Sequence, residues 1–492
     1  MARLTQPPSP EGRSSAAKVG SEKALQLGCL LGLLLLSAGS FVYFHTLSVL
    51  ILIPLAALTY RRPVYGASAL FLVISVDTAE PVLDSIFVSF SEFELAACLL
   101  GWRARGQVGR FDRQLLSWAA PFLGVVLVSG ILSTEWYKVL PHVLRVSELF
   151  VMAAIAACIF RRSKDREGIR WVLVIAILFY CVAGLLQIHS AHRGRIASFF
   201  ENANQFAGYL NLILPYLLTC FFSLADQRLR PLWGYLVGGT LMTELAILSR
   251  SALVAAGVSG GLIWALFYFR RLGSVLHSPW STLAGFGRRS GPAILSHLVL
   301  LVGLALVLVF FTSLPEVVLR SVENVMGRSR GGAVASVVDF RLPYFRLGKA
   351  VWKDHFLLGV GPGRYQEAVN DYSGVLEEHK GKVRDYEIVE EKIRIHTHNL
   401  YLQLGVEYGL LGLLAFLYFL GRVGFRLMLH HGRSPWALGG VGLLVAFVIH
   451  NCFDVTFPSL ALEMGFLLGI SLAETSERRP VSEHHPCAAR PR

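Results

Sequence analysis

Long apolar runs separated by short polar connections recur along almost the whole chain of 492 residues. A run of about 20 apolar residues is long enough to cross the hydrocarbon core of a bilayer as a helix. The longer runs show no strand-like alternation, so the pattern predicts helices rather than a barrel. We identify fourteen segments: 25–44, 46–60, 64–77, 84–102, 115–132, 139–160, 169–188, 203–222, 232–249, 251–269, 294–312, 397–421, 435–453 and 458–474.

Three of these segments, 46–60, 64–77 and 458–474, are short enough to be tilted or re-entrant, so twelve or thirteen spans also fit the pattern. Composition supports a membrane protein, because 54% of the residues are hydrophobic and only 16% are charged. Soluble domains carry about 25% charged residues. The predicted fold class is an all-α, polytopic integral membrane protein with about 12–14 transmembrane helices.

Basic residues cluster in alternate short loops, and this bias predicts the orientation. With fourteen spans, all the basic loops and both termini fall on one side, which the positive-inside rule makes cytoplasmic. The groups are Arg61/Arg62, Arg103/Arg105/Arg110/Arg113, Arg161/Arg162/Lys164/Arg166/Arg170, Arg228/Arg230, Arg270/Arg271/Arg288/Arg289 and Arg422/Arg426/Arg433. The net charge of +13 is then a topology signal, and we expect no nucleic-acid partner because no aromatic-basic module accompanies it.

The pattern divides the chain into five parts. Residues 1–24 are polar and predicted to be a disordered cytoplasmic N-terminus, and 25–311 form a transmembrane helical region. Residues 312–396 form one large loop on the outer side, 397–474 the C-terminal transmembrane helices, and 475–492 a cytoplasmic tail. Scattered cysteines predict neither disulfides nor a metal cluster.

The large outer loop carries two recognisable segments. From Phe340 to His355, apolar residues recur at helical spacing among basic ones, which predicts an amphipathic helix able to lie on the membrane surface. The sequence from Gly359 to Tyr365 is glycine-rich and predicts a tight turn.

Polar residues open three helices that are predicted to begin on the outer side. These openings contain Asn204, Arg250 and the stretch from His396 to Asn399, the last followed by Gly409 and Gly412. Helix N-termini offer unpaired N–H groups and partial positive charge, and arginine adds donors that match phosphate oxygens. Together with Arg341 from the loop helix, they would form an anion site beside the membrane. The alternatives are structural, because His398, Asn399 and Asn204 could cap their helices and both arginines could lie at the interface as ordinary cations.

The order of these motifs resembles the O-antigen ligase and O-antigen polymerase superfamily of bacterial membrane glycosyltransferases. The matching stretches are Phe200-Glu-Asn-Ala-Asn-Gln-Phe-Ala-Gly-Tyr-Leu210, Leu248-Ser-Arg-Ser-Ala-Leu253, the loop helix with Arg341 and Trp352, Leu358-Gly-Val-Gly-Pro-Gly-Arg-Tyr365, and His396-Thr-His-Asn-Leu-Tyr-Leu-Gln403 running on to Gly409 and Gly412. The resemblance covers roughly residues 170–475, and the earlier spans match in hydropathy alone.

The resemblance implies an all-helical fold similar to the C-type glycosyltransferase architectures, in the bacterial inner membrane with its site facing the periplasm. It implies transfer of a glycan from undecaprenyl pyrophosphate to an acceptor hydroxyl, without a cofactor or metal. The acceptor would be lipid A–core in the ligase branch and a growing polysaccharide in the polymerase branch. A third branch glycosylates proteins, and we favour the ligase.

Within that chemistry, we predict an inverting displacement. Arg250 and Arg341 would bind the pyrophosphate, with Asn204 and Asn399 as further contacts, and His398 would accept the proton of the acceptor. His398 could instead donate a hydrogen bond to the pyrophosphate.

Other polar residues receive supporting roles. Glu244 would hold Arg250 or act as an alternative base, and Asp454, one turn after His450, could line the acceptor path or form a satisfied polar pair. His396 and His398 have the spacing of a zinc pair, but we expect no metal because no further ligand lies near them in sequence. The pattern explains none of three further acidic residues: Glu92, Glu94 and Glu463.

Two other function classes fit a polytopic membrane protein. A transporter of lipid-linked glycans would spread intramembrane charges through a central cavity, whereas the polar motifs here are confined to one face. A non-catalytic scaffold would not require Arg250 and His398 together.

Overall fold

The computed structural model describes residues 57, 59–60, 63–73, 79–83, 86–89, 95–96, 98–100, 113–133, 136–161, 163–187, 196–200, 202–223, 229–247, 249–275, 333–372 and 396–475. Helices form nearly all of this part of the chain. They are α1 (Pro63–Val73), α2 (Arg113–Ile131), α3 (Trp136–Ile159), α4 (Ser163–Leu186), α5 (Ala203–Ser223), α6 (Arg230–Ile247), α7 (Arg250–Val275), α8 (Ala333–Asp354), α9 (Tyr365–Ala368) with a 3₁₀ turn at Val369–Tyr372, α10 (Leu400–His430), α11 (Pro435–His450) and α12 (Ala461–Thr475).

Six of the described helices contain stretches long and apolar enough to cross a membrane. These stretches are Gln114–Ile131, Val139–Ile159, Gly168–Leu186, Ala203–Ser223, Arg250–Tyr268 and Leu400–His430. A shorter apolar helix, Pro435–His450, accompanies them. The predicted fold class is confirmed, since the protein is an all-α polytopic membrane protein.

Most predicted segments match helices within a few residues, but one was wrong in part. The predicted span 84–102 begins in a two-stranded antiparallel hairpin of β1 (Ala79–Leu83) and β2 (Ile86–Ser89). Helical residues in this region are limited to 95–96 and 98–100 among those described. The predicted segments 25–44 and 294–312 lie outside the described residues, as does nearly all of 46–60.

Close contacts between helices fix their relative directions. Gly465 and Gly469 of α12 lie against the backbone oxygens of Leu149 and Ala153 of α3, so these two helices pack in parallel and begin at the same end. Small residues permit such close approach of backbones in membrane bundles. Alternation along the chain then places the starts of α3, α5, α7, α10 and α12 at one end, which we call the motif end of the bundle.

Helix α10 is kinked at Gly409, where φ is 67° and ψ is −171°. The kink interrupts the helical hydrogen-bond ladder, and the turn after α8 supplies replacement partners. Val360 and Gly361 donate their backbone N–H groups to the carbonyl oxygens of Val406 and Glu407 at 2.9 and 3.0 Å. Irregular backbone within a membrane bundle is stable only where protein or water satisfies it, as it does here.

The described part of the apolar face of α8 packs against other parts of the protein. Tyr344, Leu347 and Val351 form a buried cluster with Tyr365 and with residue Val406 of α10. The helix begins at Ala333, seven residues before the predicted start, and Gly348 lies against Leu402. The predicted amphipathic helix is therefore present, and the described part of its apolar face attaches the loop to α10. Its position relative to the membrane surface stays a prediction.

Candidate functional site

His398 lies at the motif end, directly before α10, opposite an aspartate from a distant part of the chain. Its Nδ1 atom is 3.8 Å from Oδ1 of Asp454, which lies in the connection between α11 and α12. At this separation the two groups form an ion pair only when the imidazole is protonated, and the distance is too long for a hydrogen bond. The backbone of His398 is left-handed, with φ of 52°, a conformation that non-glycine residues keep only where the surrounding structure enforces it.

Hydrogen bonds donated by Asn399 and Leu400 hold these two segments together. Asn399 caps α10 by accepting from the N–H of Leu402 at 2.9 Å, and its Nδ2 donates to the carbonyl of Cys452 at 2.8 Å. The N–H of Leu400 donates to the carbonyl of Asn451 at 3.0 Å. The side chain of Asn399 is thus occupied by structural contacts at both polar atoms, and the capping role is present. Its predicted contact with pyrophosphate stays a prediction.

Asp454 is buried, and its carboxylate is held in the charged form. Burial raises its pKa, but the interaction with His398, the charge of His450 and a hydrogen bond from the N–H of Val455 outweigh burial and lower the pKa to about 2. Oδ1 accepts from Val455 at 2.8 Å. Oδ2 is buried without a hydrogen-bond partner among the described residues. Asp454 is therefore a carboxylate that faces His398 with one oxygen unsatisfied.

His396 lies against the ring of His398, with the ring centroids 4.1 Å apart at an interplanar angle of 75°. Burial, followed by the charge of His398, lowers the pKa of His396 to about 4, against a smaller opposing effect of Asp454. No third ligand lies near this histidine pair in sequence, but the fold brings one beside it from a distant part of the chain. One potential ligand atom each from His396, His398 and Asp454 lie within 4.8 Å of one another.

The loop helix reaches the same place through Tyr344, whose ring meets His398 edge-on at 4.7 Å. Arg341 is one turn before Tyr344 on α8, and helical residues three apart share a face. The side chain of Arg341 lies outside what the structure describes, so its predicted contact with pyrophosphate stays a prediction.

The two other helices with predicted polar N-termini, α5 and α7, also begin at the motif end. Arg250 is the first residue of α7 and is exposed. Asn202, rather than the predicted Asn204, caps α5, because its Oδ1 accepts from the N–H groups of Asn204 and Gln205 at 3.0 and 2.9 Å. The side chain of Gln205 donates to the hydroxyl of Ser459 at 3.3 Å, which joins the start of α5 to the segment that carries Asp454.

Glu244 does not hold Arg250 in the described structure. It is fully buried, and neither carboxylate oxygen has a hydrogen-bond partner among the described residues. Arg250, by contrast, is exposed. Glu463 is also buried, in the first turn of α12, whereas Glu92 and Glu94 lie outside the described residues.

A polar chain inside α10, which the sequence analysis missed, connects the histidine segment to the glycine-rich turn. Gln403 accepts from the N–H of Thr397 at 3.0 Å and donates to Oε1 of Glu407 at 2.7 Å. Glu407 also accepts from the backbone N–H of Gly363. The spacing of Gln403 and Glu407, four residues apart on one helix face, was the available signal.

Comparison with known families bears on the segment that contains most of these residues. Residues 236–417 match the family model Wzy_C, described as O-antigen ligase. The match covers 182 of the 492 residues, so the similarity to the O-antigen ligase family is shown for this segment of the chain. A search of curated proteins found no match. The predicted superfamily is confirmed, and with it a glycosyltransferase family of the O-antigen ligase and polymerase type.

The O-antigen ligase segment includes Arg250, Arg341 and His398, whereas Asn204 and Asp454 lie outside its bounds. The carboxylate that faces His398 therefore comes from the chain beyond the matched segment. The structure joins the two by the contacts of Asn399 and Leu400 described above.

Proposed function

We propose that this protein transfers a glycan from undecaprenyl pyrophosphate to an acceptor hydroxyl at the periplasmic face of the bacterial inner membrane, with lipid A–core as the acceptor. The observation that carries the proposal is the pairing of His398 with Asp454 at the motif end of an O-antigen ligase domain. A polymerase of the same superfamily would use the same chemistry with a glycan chain as acceptor.

His398 acts as the general base in this proposal. A carboxylate beside one imidazole nitrogen orients the ring and stabilises the imidazolium that forms, as in other histidine–aspartate pairs. Asp454 faces Nδ1, which leaves Nε2 for the acceptor hydroxyl. A modest rotation of the His398 ring would close the 3.8 Å separation to a hydrogen bond when substrate binds.

The reaction is one inverting displacement. The acceptor oxygen forms a bond to the anomeric carbon as the bond from that carbon to the pyrophosphate oxygen breaks, and the hydroxyl proton passes to His398. Undecaprenyl pyrophosphate leaves with the bonding electron pair. Arg250 and Arg341 stabilise the charge that develops on the leaving group, which is the form of stabilisation that accelerates a reaction.

The experiment is a transfer assay with purified protein in lipid nanodiscs. The substrates are an undecaprenyl-pyrophosphate-linked glycan with either lipid A–core or free glycan acceptor. Removal of a general base costs about 10²- to 10⁴-fold in rate, and we expect losses of this order in His398→Ala and smaller ones in Asp454→Asn. Arg250→Ala should also lower the rate of release of lipid pyrophosphate.

Two exposed residues provide matched controls: His355→Ala for the histidine and Arg433→Ala for the arginine. Both should retain the parental rate. Full activity in His398→Ala and Arg250→Ala at equal folded yield would refute the site. Product formed with free glycan alone would assign the protein to the polymerase branch.

A further inference from the structure

The group formed by His396, His398 and Asp454 has a property that glycosyl transfer does not use. It presents two imidazoles and one carboxylate from two separate segments, with the potential ligand atoms within 4.8 Å of one another. Zinc sites with three protein ligands of this kind keep a fourth position open. In a tetrahedral site with bonds of 2.0–2.1 Å, the ligand atoms lie about 3.4 Å apart, so the side chains need to close by a little over an ångström.

A second observation favours a cation at this place. Asp454 Oδ2 is buried and has no hydrogen-bond partner among the described residues, which is costly for a carboxylate oxygen. A cation bound by this carboxylate and the two neutral imidazoles would satisfy that oxygen. Hydrogen bonds from the Asn399 side chain and from the Leu400 N–H already hold the two ligand-bearing segments together, so binding requires side-chain movement and little folding.

We propose that His396, His398 and Asp454 bind a divalent transition-metal cation of the Zn²⁺ class, and that the bound cation excludes the base function of His398. The binding part is independent of the proposed function, whereas the exclusion rests on it. The site would make the protein sensitive to free zinc or copper at the face of the membrane where the motif end lies.

The exclusion follows from competition for the same atoms. As a base, His398 needs Nδ1 paired with Asp454 and Nε2 free to accept a proton. A cation takes a ring nitrogen of His398 and an oxygen of Asp454 at once, so the pair no longer orients the ring. Binding also changes His396, since its Nδ1 accepts a long hydrogen bond of 3.2 Å from the N–H of His398. That bond is lost if the metal binds Nδ1 or if binding at Nε2 moves the proton to Nδ1.

The binding test uses full-length protein, purified without a histidine tag, stripped of metal and titrated with Co²⁺. Co²⁺ reports tetrahedral nitrogen and oxygen ligation by its visible absorption, and Zn²⁺ should displace it. The protein used as the reference carries His431→Ala, His484→Ala and His485→Ala, and we call it the background. These changes remove the histidine pairs 430–431 and 484–485, which could bind Co²⁺ elsewhere. We expect one tight equivalent per chain.

His396→Ala and Asp454→Asn each remove one ligand. Each should weaken Co²⁺ binding by more than about 10- to 100-fold, which is the cost of removing a residue that only hydrogen-bonds to a ligand. The control variants His355→Ala and Asp371→Asn alter exposed residues and should bind as the background does. Gel filtration and thermal melting of each variant establish folding. Equal Co²⁺ affinity in background and His396→Ala, or no band in either, overturns the site.

The exclusion is tested separately in the transfer assay. Zn²⁺ should abolish transfer at the concentrations that displace Co²⁺, a chelator should restore it, and Mg²⁺ should have no effect. Binding without inhibition, or with activation, overturns the exclusion and leaves the metal site. An absence of transfer in both metal-free and Zn²⁺-loaded protein counts against the proposed function, while the Co²⁺ titration still decides the site.

Discussion

Gly409 is the residue on which docking of the loop onto α10 depends most directly. Its φ of 67° with ψ of −171° belongs to a region that is essentially restricted to glycine. A Cβ at this position would also meet the backbone of Leu357 and Leu358, which cannot move aside as a flexible side chain would. Substitution by alanine therefore either releases the docked loop or leaves a strained kink that clashes with the loop backbone.

The expected magnitude follows from the bonds at the contact. Four backbone hydrogen bonds join 356–361 to 406–411: the two described above, and those from Leu410 to Phe356 at 2.8 Å and from Leu411 to Leu357 at 3.3 Å. If the loop undocks, these bonds are lost at about 1 kcal/mol each. If it stays docked, alanine retains about 1–3 kcal/mol of backbone strain together with the clash. The protein adopts the state of lower free energy, so we expect Gly409→Ala to destabilise the docking by about 2–4 kcal/mol.

Hydrogen exchange measured by mass spectrometry in nanodiscs provides the assay. Protection of the amides in 356–361 and 406–411 should fall about 30- to 700-fold, since each 1.4 kcal/mol is a factor of ten. Gly421→Ala is the matched control, because it lies in the same helix, is exposed and has open space around the added Cβ. That change should be neutral or stabilise the helix by up to about 1 kcal/mol. Unchanged exchange in Gly409→Ala would refute the reasoning.

Two further substitutions test how the site segments are held. Asn399→Ala removes a helix cap and the bond to Cys452, so we expect a loss of about 1–2 kcal/mol, measured as a lower thermal midpoint in detergent, whereas Asn399→Asp should retain the cap. Asn451→Ala leaves the buried N–H and hydroxyl of Thr456 without their acceptor and should cost about 1–3 kcal/mol, with faster exchange at 452–456; an unaltered midpoint in either alanine variant would contradict these assignments.

The ends of a membrane helix were predictable from sequence where polar residues border the apolar run. The predicted segment 203–222 is the helix Ala203–Ser223, because the polar cap at Asn202 marks its start. The hairpin of β1 and β2 was missed, since the apolar residues of 86–89 do not distinguish a short strand from part of a span. The loop helix was found, but its environment was not, because periodicity reveals an apolar face without revealing what covers it.

The candidate site was predictable only in part. The sequence predicted the segment from His398 to Gly409 as part of the site from its polar residues, and this segment has a left-handed residue at one end and a kink at the other. Asp454 lies 56 positions beyond His398, and only packing of α11 and α12 beside α10 brings the two together at 3.8 Å. The pairing of Glu244 with Arg250 failed for the opposite reason, since nearness in sequence did not place a buried carboxylate beside an exposed arginine.

The large loop and the segment from His398 to Gly409 are held in place by one connected set of contacts. The backbone is irregular at both ends of this segment. His398 is strained at one end and Gly409 is kinked at the other, and Gln403 and Glu407 link Thr397 to Gly363 between them. Displacement of the turn would remove partners from the α10 kink and from Glu407 together. The glycine-rich turn itself contacts neither His398 nor Asp454, but it is linked to the residue before His398 through Glu407 and Gln403. We therefore expect the proposed base to be oriented only when the loop is docked.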